Sequence, residues 1–244
     1  MSLGIYDKTI AGILALLEPF DGRKLPLDKG LSWPDAGKHN MVLRGDMAYE
    51  LGGSELPAIS GCGFTAGSGL VAADELMLYG PDLDEIKEDS PCARITIVGL
   101  DPEACDLEED GNGLYDLLRS VEYERYHVEP EGFMMRISVS GSREPVRVAR
   151  TALERGLTFT EAGKLFMGAY RNHPEVRAVK MIYITDPSFP FNELARKAEQ
   201  LEQITASLDH IFHDLIMDCG SCSMREVCDE VGELRELHKK TISK

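Results

Sequence analysis

The chain has 244 residues, with 42 acidic against 26 basic side chains and a formal net charge of −16. Such a surface repels phosphate backbones and anionic lipid headgroups, which disfavours nucleic acid and membrane as partners. Hydrophobic residues make up 43% and charged residues 28%, the balance of a globular protein long enough to bury a proper core. No run approaches the roughly 18 apolar residues of a membrane span. Met1-Ser2-Leu3-Gly4-Ile5 lacks the basic and apolar regions of a signal peptide. Six cysteines in that setting fit a reducing cytoplasm and metal-ligand duty better than a disulfide framework.

In chain order, Ile10, Ile13, Leu14 and Leu17 recur at helical spacing and predict an opening helix from Ile5 to Phe20. Pro19 and Asp21-Gly22 end it. The segment from Leu25 to Lys38 is irregular, with Pro26, Pro34 and Trp33, the last expected as a packed loop anchor. Met41 to Glu50 is strand-like in part. Gly61-Cys62-Gly63-Phe64-Thr65-Ala66-Gly67-Ser68-Gly69 is the one glycine-rich stretch and is expected as a turn or a place of close backbone packing. It lacks the lysine of a P-loop and the acidic residue of a dinucleotide fold, so nucleotide binding has little support.

From there strands and helices alternate. Strands are expected at Glu75–Tyr79, Arg94–Gly99, Gly132–Ser140 and Ala178–Thr185. Asp82 is expected to cap a brief acidic helix through Ile86, and Gly113–Tyr126 reads as a longer one. Two helices follow, Pro145–Arg155 stopped by Gly156, and one capped by Thr160 that runs through Tyr170. The acidic run from Asp106 to Asp110 reads as solvated surface. A long helix from Phe191 to Met217 keeps an apolar stripe of Leu194, Ala198, Leu201, Ile204, Leu208, Ile211 and Leu215. A short helix carrying Leu234 and Leu237 closes the chain. The expected fold is α/β, with a mixed or partly parallel sheet flanked by helices and a long C-terminal helix leading to a cysteine-rich tail. Three parts are expected: an N-terminal lead-in (1–44), an α/β core (45–190), and the long helix with its tail (191–244).

The chemistry concentrates in Cys219-Gly220-Ser221-Cys222-Ser223-Met224-Arg225-Glu226-Val227-Cys228, a C-x2-C-x5-C run. Thiolates clustered this tightly bind soft metals, since each sulfur surrenders its proton to the ion. An iron–sulfur cluster, of 4Fe-4S type, is the leading expectation. A tetrahedral zinc on Cys219, Cys222 and Cys228, completed by His213 or His238, is the alternative. A cubane normally takes four protein ligands. Cys62, in its glycine-rich stretch, is the candidate fourth, ahead of Cys92 and of Cys105, which lies beside acidic residues that would repel a negative cluster; an open iron site bound by water or substrate is the equal alternative. Arg136, Arg143, Arg147 and Arg150 form a basic group in an acidic protein. Such a group is ordinarily ion-paired, or else it is a site for an anionic ligand such as the phosphates of coenzyme A. No Ser/His/Asp arrangement or His-x-x-x-His motif supports hydrolytic chemistry.

Several short motifs carry a family resemblance by their serial order. They are Glu50-Leu51-Gly52-Gly53, Tyr79-Gly80-Pro81-Asp82-Leu83, Arg136-Ile137-Ser138 through Gly156-Leu157-Thr158-Phe159, Gly163-Lys164-Leu165, and Ile182-Tyr183-Ile184-Thr185-Asp186. Together they resemble the middle region of acetyl-CoA synthase, the β subunit of the carbon monoxide dehydrogenase/acetyl-CoA synthase complex, over residues 45–190. Cys219-x2-Cys222 stands where that family's cubane cysteines begin, whereas Cys228 follows sooner than the family's third cysteine. The family's Cys-Gly-Cys nickel site has no counterpart. The resemblance implies an accessory or partner-docking module in carbon monoxide and corrinoid metabolism. Its partner would be a corrinoid protein or a carbon monoxide dehydrogenase subunit. Any acetyl-transferring chemistry would need nickel ligands from another chain.

Overall fold

The computed structural model describes residues 3–53, 55–67, 69–105, 111–136, 143–213, 225–232, 234, 236 and 237. Its elements are α1 (Gly4–Leu17), β1 (Gly22–Leu25), β2 (Met47–Leu51), β3 (Ala58–Thr65), β4 (Glu75–Tyr79), β5 (Cys92–Leu100), α2 (Gly111–His127), β6 (Phe133–Met135), β7 (Val146–Ala149), α3 (Arg150–Glu154), α4 (Phe159–Arg171), β8 (Val176–Ile184), α5 (Phe191–His213) and α6 (Arg225–Glu230). The residues of the expected Gly132–Ser140 strand beyond Arg136, the acidic run 106–110, and Leu215 and Met217 lie outside the described residues.

A five-stranded sheet in the order β1-β4-β8-β5-β3 forms the centre, with a three-stranded sheet β2-β7-β6 beside it in sequence. β3 runs parallel to β5 and β4 parallel to β8, while β5 and β8 are antiparallel, as are β1 and β4. The fold is therefore α/β with a mixed sheet, as the alternating pattern predicts. Every residue of β5 is buried, which explains its unbroken run of β-branched residues: a strand covered on both faces has no polar side to show.

Glycines set how closely the helices approach. A Cβ on Gly61 would stand 3.2 Å from both Ala198 and Ile95, and one on Gly63 would stand 3.1 Å from Leu201 and 3.3 Å from Ile10. Their missing side chains let α5 and α1 lie directly on β3. α4 covers the opposite face, where a Cβ on Gly163 would come within 2.7 Å of Leu76. Tyr6 shares a hydrogen bond with Thr205 at 2.9 Å, and Thr9 donates to Gln200 at 2.9 Å, tying α1 to α5. Trp33 is buried and donates to the Glu131 carbonyl at 2.9 Å, the anchor its setting predicts.

Four expectations need correction. The glycine-rich stretch is not a turn but strand β3 through Thr65, held by parallel pairing with β5, while its expected close packing holds at Gly61 and Gly63. The expected helix from Pro145 is β7 followed by the short α3. Val146 and Val148 alternate and pair with Leu51 and Tyr49 of β2, and that pairing outweighs the helical spacing of Val146, Ala149 and Leu153. Asp82 starts a turn rather than a helix, its carboxylate accepting from the backbone N–H of Leu83 (2.7 Å) and Phe159 (2.8 Å). Finally, α4 is capped by Thr158, whose hydroxyl accepts from Glu161 N–H at 3.4 Å. Among the described residues no helix is long and apolar enough to cross a membrane.

Candidate functional site

The cysteine run begins beyond the described end of α5. Cys219 and Cys222 lie outside the described residues, and Cys228 has its backbone on α6. What the structure defines is the frame on either side. α5 buries Leu194, Ala198, Leu201, Ile204, Leu208 and Ile211 along one stripe, and Val227 within the cysteine run and Val231, Leu234 and Leu237 after it are buried. Gln200 Nε2 donates to Glu230 Oε2 at 2.8 Å. α6, which carries the backbone of Cys228, is thereby fastened to α5.

Cys62 stands elsewhere. It sits in the middle of β3, only 2% exposed, on the face opposite the glycine contacts to α5. Burial pushes its thiol up to about 12, with Glu122 adding to the rise and Arg125 opposing it. Its strand position removes the premise for choosing it, a flexible loop able to approach a cluster. Cys92 and Cys105 are likewise buried and free, and burial raises both, to about 12 and about 11.

Three of the four arginines contact residues 50–52, at the end of β2, and the fourth reaches its start. Arg136 donates to Glu50 at 2.5 Å, and Arg147, opposite Glu50 across the strand pair, lies 3.5 Å from the same carboxylate. Arg143 donates to the Gly52 carbonyl at 3.4 Å, while Arg150 reaches the Met47 carbonyl at 3.3 Å, toward the other end of β2. Arg136 and Arg147 are thus ion-paired to one glutamate, and Arg143 and Arg150 donate to backbone carbonyls.

A polar network that the sequence reading missed lies within the core. Arg94 of β5 and Ser60 of β3 are register partners. Arg94 Nη2 donates to both carboxylate oxygens of Glu144 (2.8 and 2.9 Å) and to the Arg125 carbonyl (3.0 Å). Its guanidinium lies 4.0 Å above the Phe166 ring. Arg125 Nε donates to Ser60 Oγ at 2.9 Å, and its Nη1 lies 3.2 Å from Glu202. Burial is the largest influence and works against the charge on both arginines, but Glu144 together with Tyr183 and Tyr170 around Arg94, and with Tyr126 and Glu202 around Arg125, outweighs it and keeps both cationic. Burial likewise keeps the Tyr170 and Tyr183 phenols protonated beside them. Groups locked in one protonation state cannot shuttle protons, so this network positions α2 and α4 on the sheet rather than performing acid–base chemistry. Its one signal in the sequence is a charged residue at the head of the β-branched run Arg94-Ile95-Thr96-Ile97-Val98.

Among the described residues no three His, Cys, Asp or Glu side chains are placed to share a metal ion. No family model matches this sequence, and no curated protein matches it either.

Proposed function

We propose that this chain is an acetyl-CoA-synthase-like module. In this reading it carries an iron–sulfur cluster on Cys219, Cys222 and Cys228 and docks a corrinoid protein or a carbon monoxide dehydrogenase subunit. One observation carries the metal-binding part. Three thiols fall within a ten-residue C-x2-C-x5-C run, and α6, which carries Cys228, is fastened to the preceding helix α5 through Gln200 and Glu230. The donor set fits the group: soft thiolates suit an iron–sulfur cluster, which when bound would serve structure or electron transfer. Cys62 is not part of this ligand set, because its thiol is enclosed in the core. The docking part rests on the serial resemblance over residues 45–190.

Anaerobic purification with iron, acid-labile sulfide and zinc analysis tests the cluster. Brown protein with matched iron and sulfide is the expected result. Colourless protein with stoichiometric zinc overturns it in favour of a structural zinc site using His213 or His238. A pull-down from an anaerobic lysate rich in corrinoid proteins and carbon monoxide dehydrogenase tests the docking. Recovery of neither overturns that part while leaving the cluster untouched.

A further inference from the structure

A hollow of about 510 Å³ opens between the strap formed by residues 34–46, the turn at Glu131-Gly132, and the junction of β7 with α3. Its volume falls within the roughly 300–1,000 Å³ of small-molecule sites. The strap is fixed in place. Asn40 Nδ2 donates to the carbonyls of Pro130 (3.0 Å) and Phe133 (2.9 Å), and Asn40 Oδ1 accepts from Gly132 N–H at 2.9 Å. At its other end the Asp46 carbonyl accepts from Arg150 N–H at 2.9 Å. The hollow is therefore preformed rather than a gap in a loose loop.

Gly132, Ala149 and Ala152 contribute nothing larger than a methyl group to its wall. Gly132 has φ +78°, and a Cβ there would meet Ala152 at 2.4 Å, so this wall cannot be filled from within. Met41 stands at the rim, 72% exposed, an adaptable apolar side chain of the kind that moulds to a guest. The polar groups divide unevenly. Arg155 is neutralised by Glu131 at 3.0 Å. Asp46 also lines the hollow; it is exposed, and its carboxylate has no hydrogen bond or ion pair among the described residues. Asp46 therefore leaves one unpaired negative charge among the lining residues, within a protein of net charge −16.

We propose that this hollow binds a small organic cation, its apolar body against Ala149, Ala152 and Met41 and its ammonium against Asp46. The site is independent of the cysteine run. The test follows the Met41 methyl signal by NMR while benzylamine is added, with the buried Met181 as the internal control and benzoate as the opposite-charge probe. Benzylamine is expected to shift Met41 saturably and leave Met181 in place. Asp46→Asn should weaken the binding about fivefold, the effect of removing one exposed charge partner. Thr151→Trp, at an exposed lining position, should abolish it by filling the space. An unmoved Met41 signal, equal binding of benzoate, or unchanged binding by Asp46→Asn overturns the proposal.

Discussion

Arg94 and Glu144, fifty residues apart in sequence, meet in the core with both side chains only 4% exposed and their charged atoms 2.8 Å apart. Glu144 reaches this position because its own backbone N–H donates to the Ala58 carbonyl at 3.1 Å, pinning it beside the head of β3. The pair links two segments that share no local sequence signal.

Removing one partner leaves the other as an uncompensated buried charge. Glu144→Ala should cost about 3–5 kcal/mol in urea unfolding, whereas the double change Arg94→Met with Glu144→Leu should cost clearly less than the sum of the singles. Additive losses would show that the two groups do not act as a pair.

The close seat of α5 on β3 depends on Gly61. Gly61→Val should destabilise the protein by about 1–3 kcal/mol, because the new side chain overlaps Ala198 and Ile95, 3.2 Å from the first carbon alone. A neutral urea midpoint would mean that α5 shifts freely, contrary to its packing along the whole stripe.

Thiol chemistry separates the core cysteines from those of the tail. Cys62 and Cys92 are pushed up to about 12 and Cys105 to about 11, all by burial. Iodoacetamide at pH 8 should leave these three unmodified in the folded protein and label them on unfolding. Mass spectrometry reads the sites, and labelling of Cys62 at the native-state rate of an exposed thiol would contradict its placement.

Glu75 gives an acid-side pH dependence. A hydrogen bond from Lys180, 2.7 Å away, holds its carboxyl below the usual glutamate value, with Lys24 at 3.4 Å assisting. The unfolded chain therefore binds a proton more readily than the folded one. The stabilisation is present above the unfolded value, about 4.3, and is lost as pH falls through the lower folded value. Urea midpoints taken on acidification should fall less steeply for Glu75→Gln than for the unaltered protein. Parallel curves would show that the pair contributes nothing.

The cysteine run provides the last prediction. Replacing Cys219, Cys222 or Cys228 by serine should abolish bound metal, while Cys62→Ser should leave metal content unchanged. Metal analysis of the four variants decides it. Loss of metal from Cys62→Ser would restore that residue to the ligand set and require a different packing of α2 and α4.

Local chemistry alone determined the elements whose own side chains declare their period. β5 and β8 were legible because β-branched and aromatic residues dominate them, β4 because its short apolar run Leu76-Met77-Leu78-Tyr79 is closed by Gly80-Pro81, and α5 because its apolar stripe never leaves the helical spacing. The cysteine spacing was equally plain. β3 was not, because Gly61, Cys62 and Gly63 have weak strand preference by themselves. Parallel pairing with β5 and the weight of α5 make them a strand, and both partners lie far along the chain. β7 failed for a related reason. Its valines satisfy two periods at once, and only the antiparallel partner β2 selects the extended one. The Arg94–Glu144 pair and the hollow beneath the 34–46 strap were beyond any local reading, since each is made by segments that meet only when the sheets assemble. Periodicity and spacing act over a few residues. Burial, charge pairing and the shape of a cavity are set by which distant segments come together.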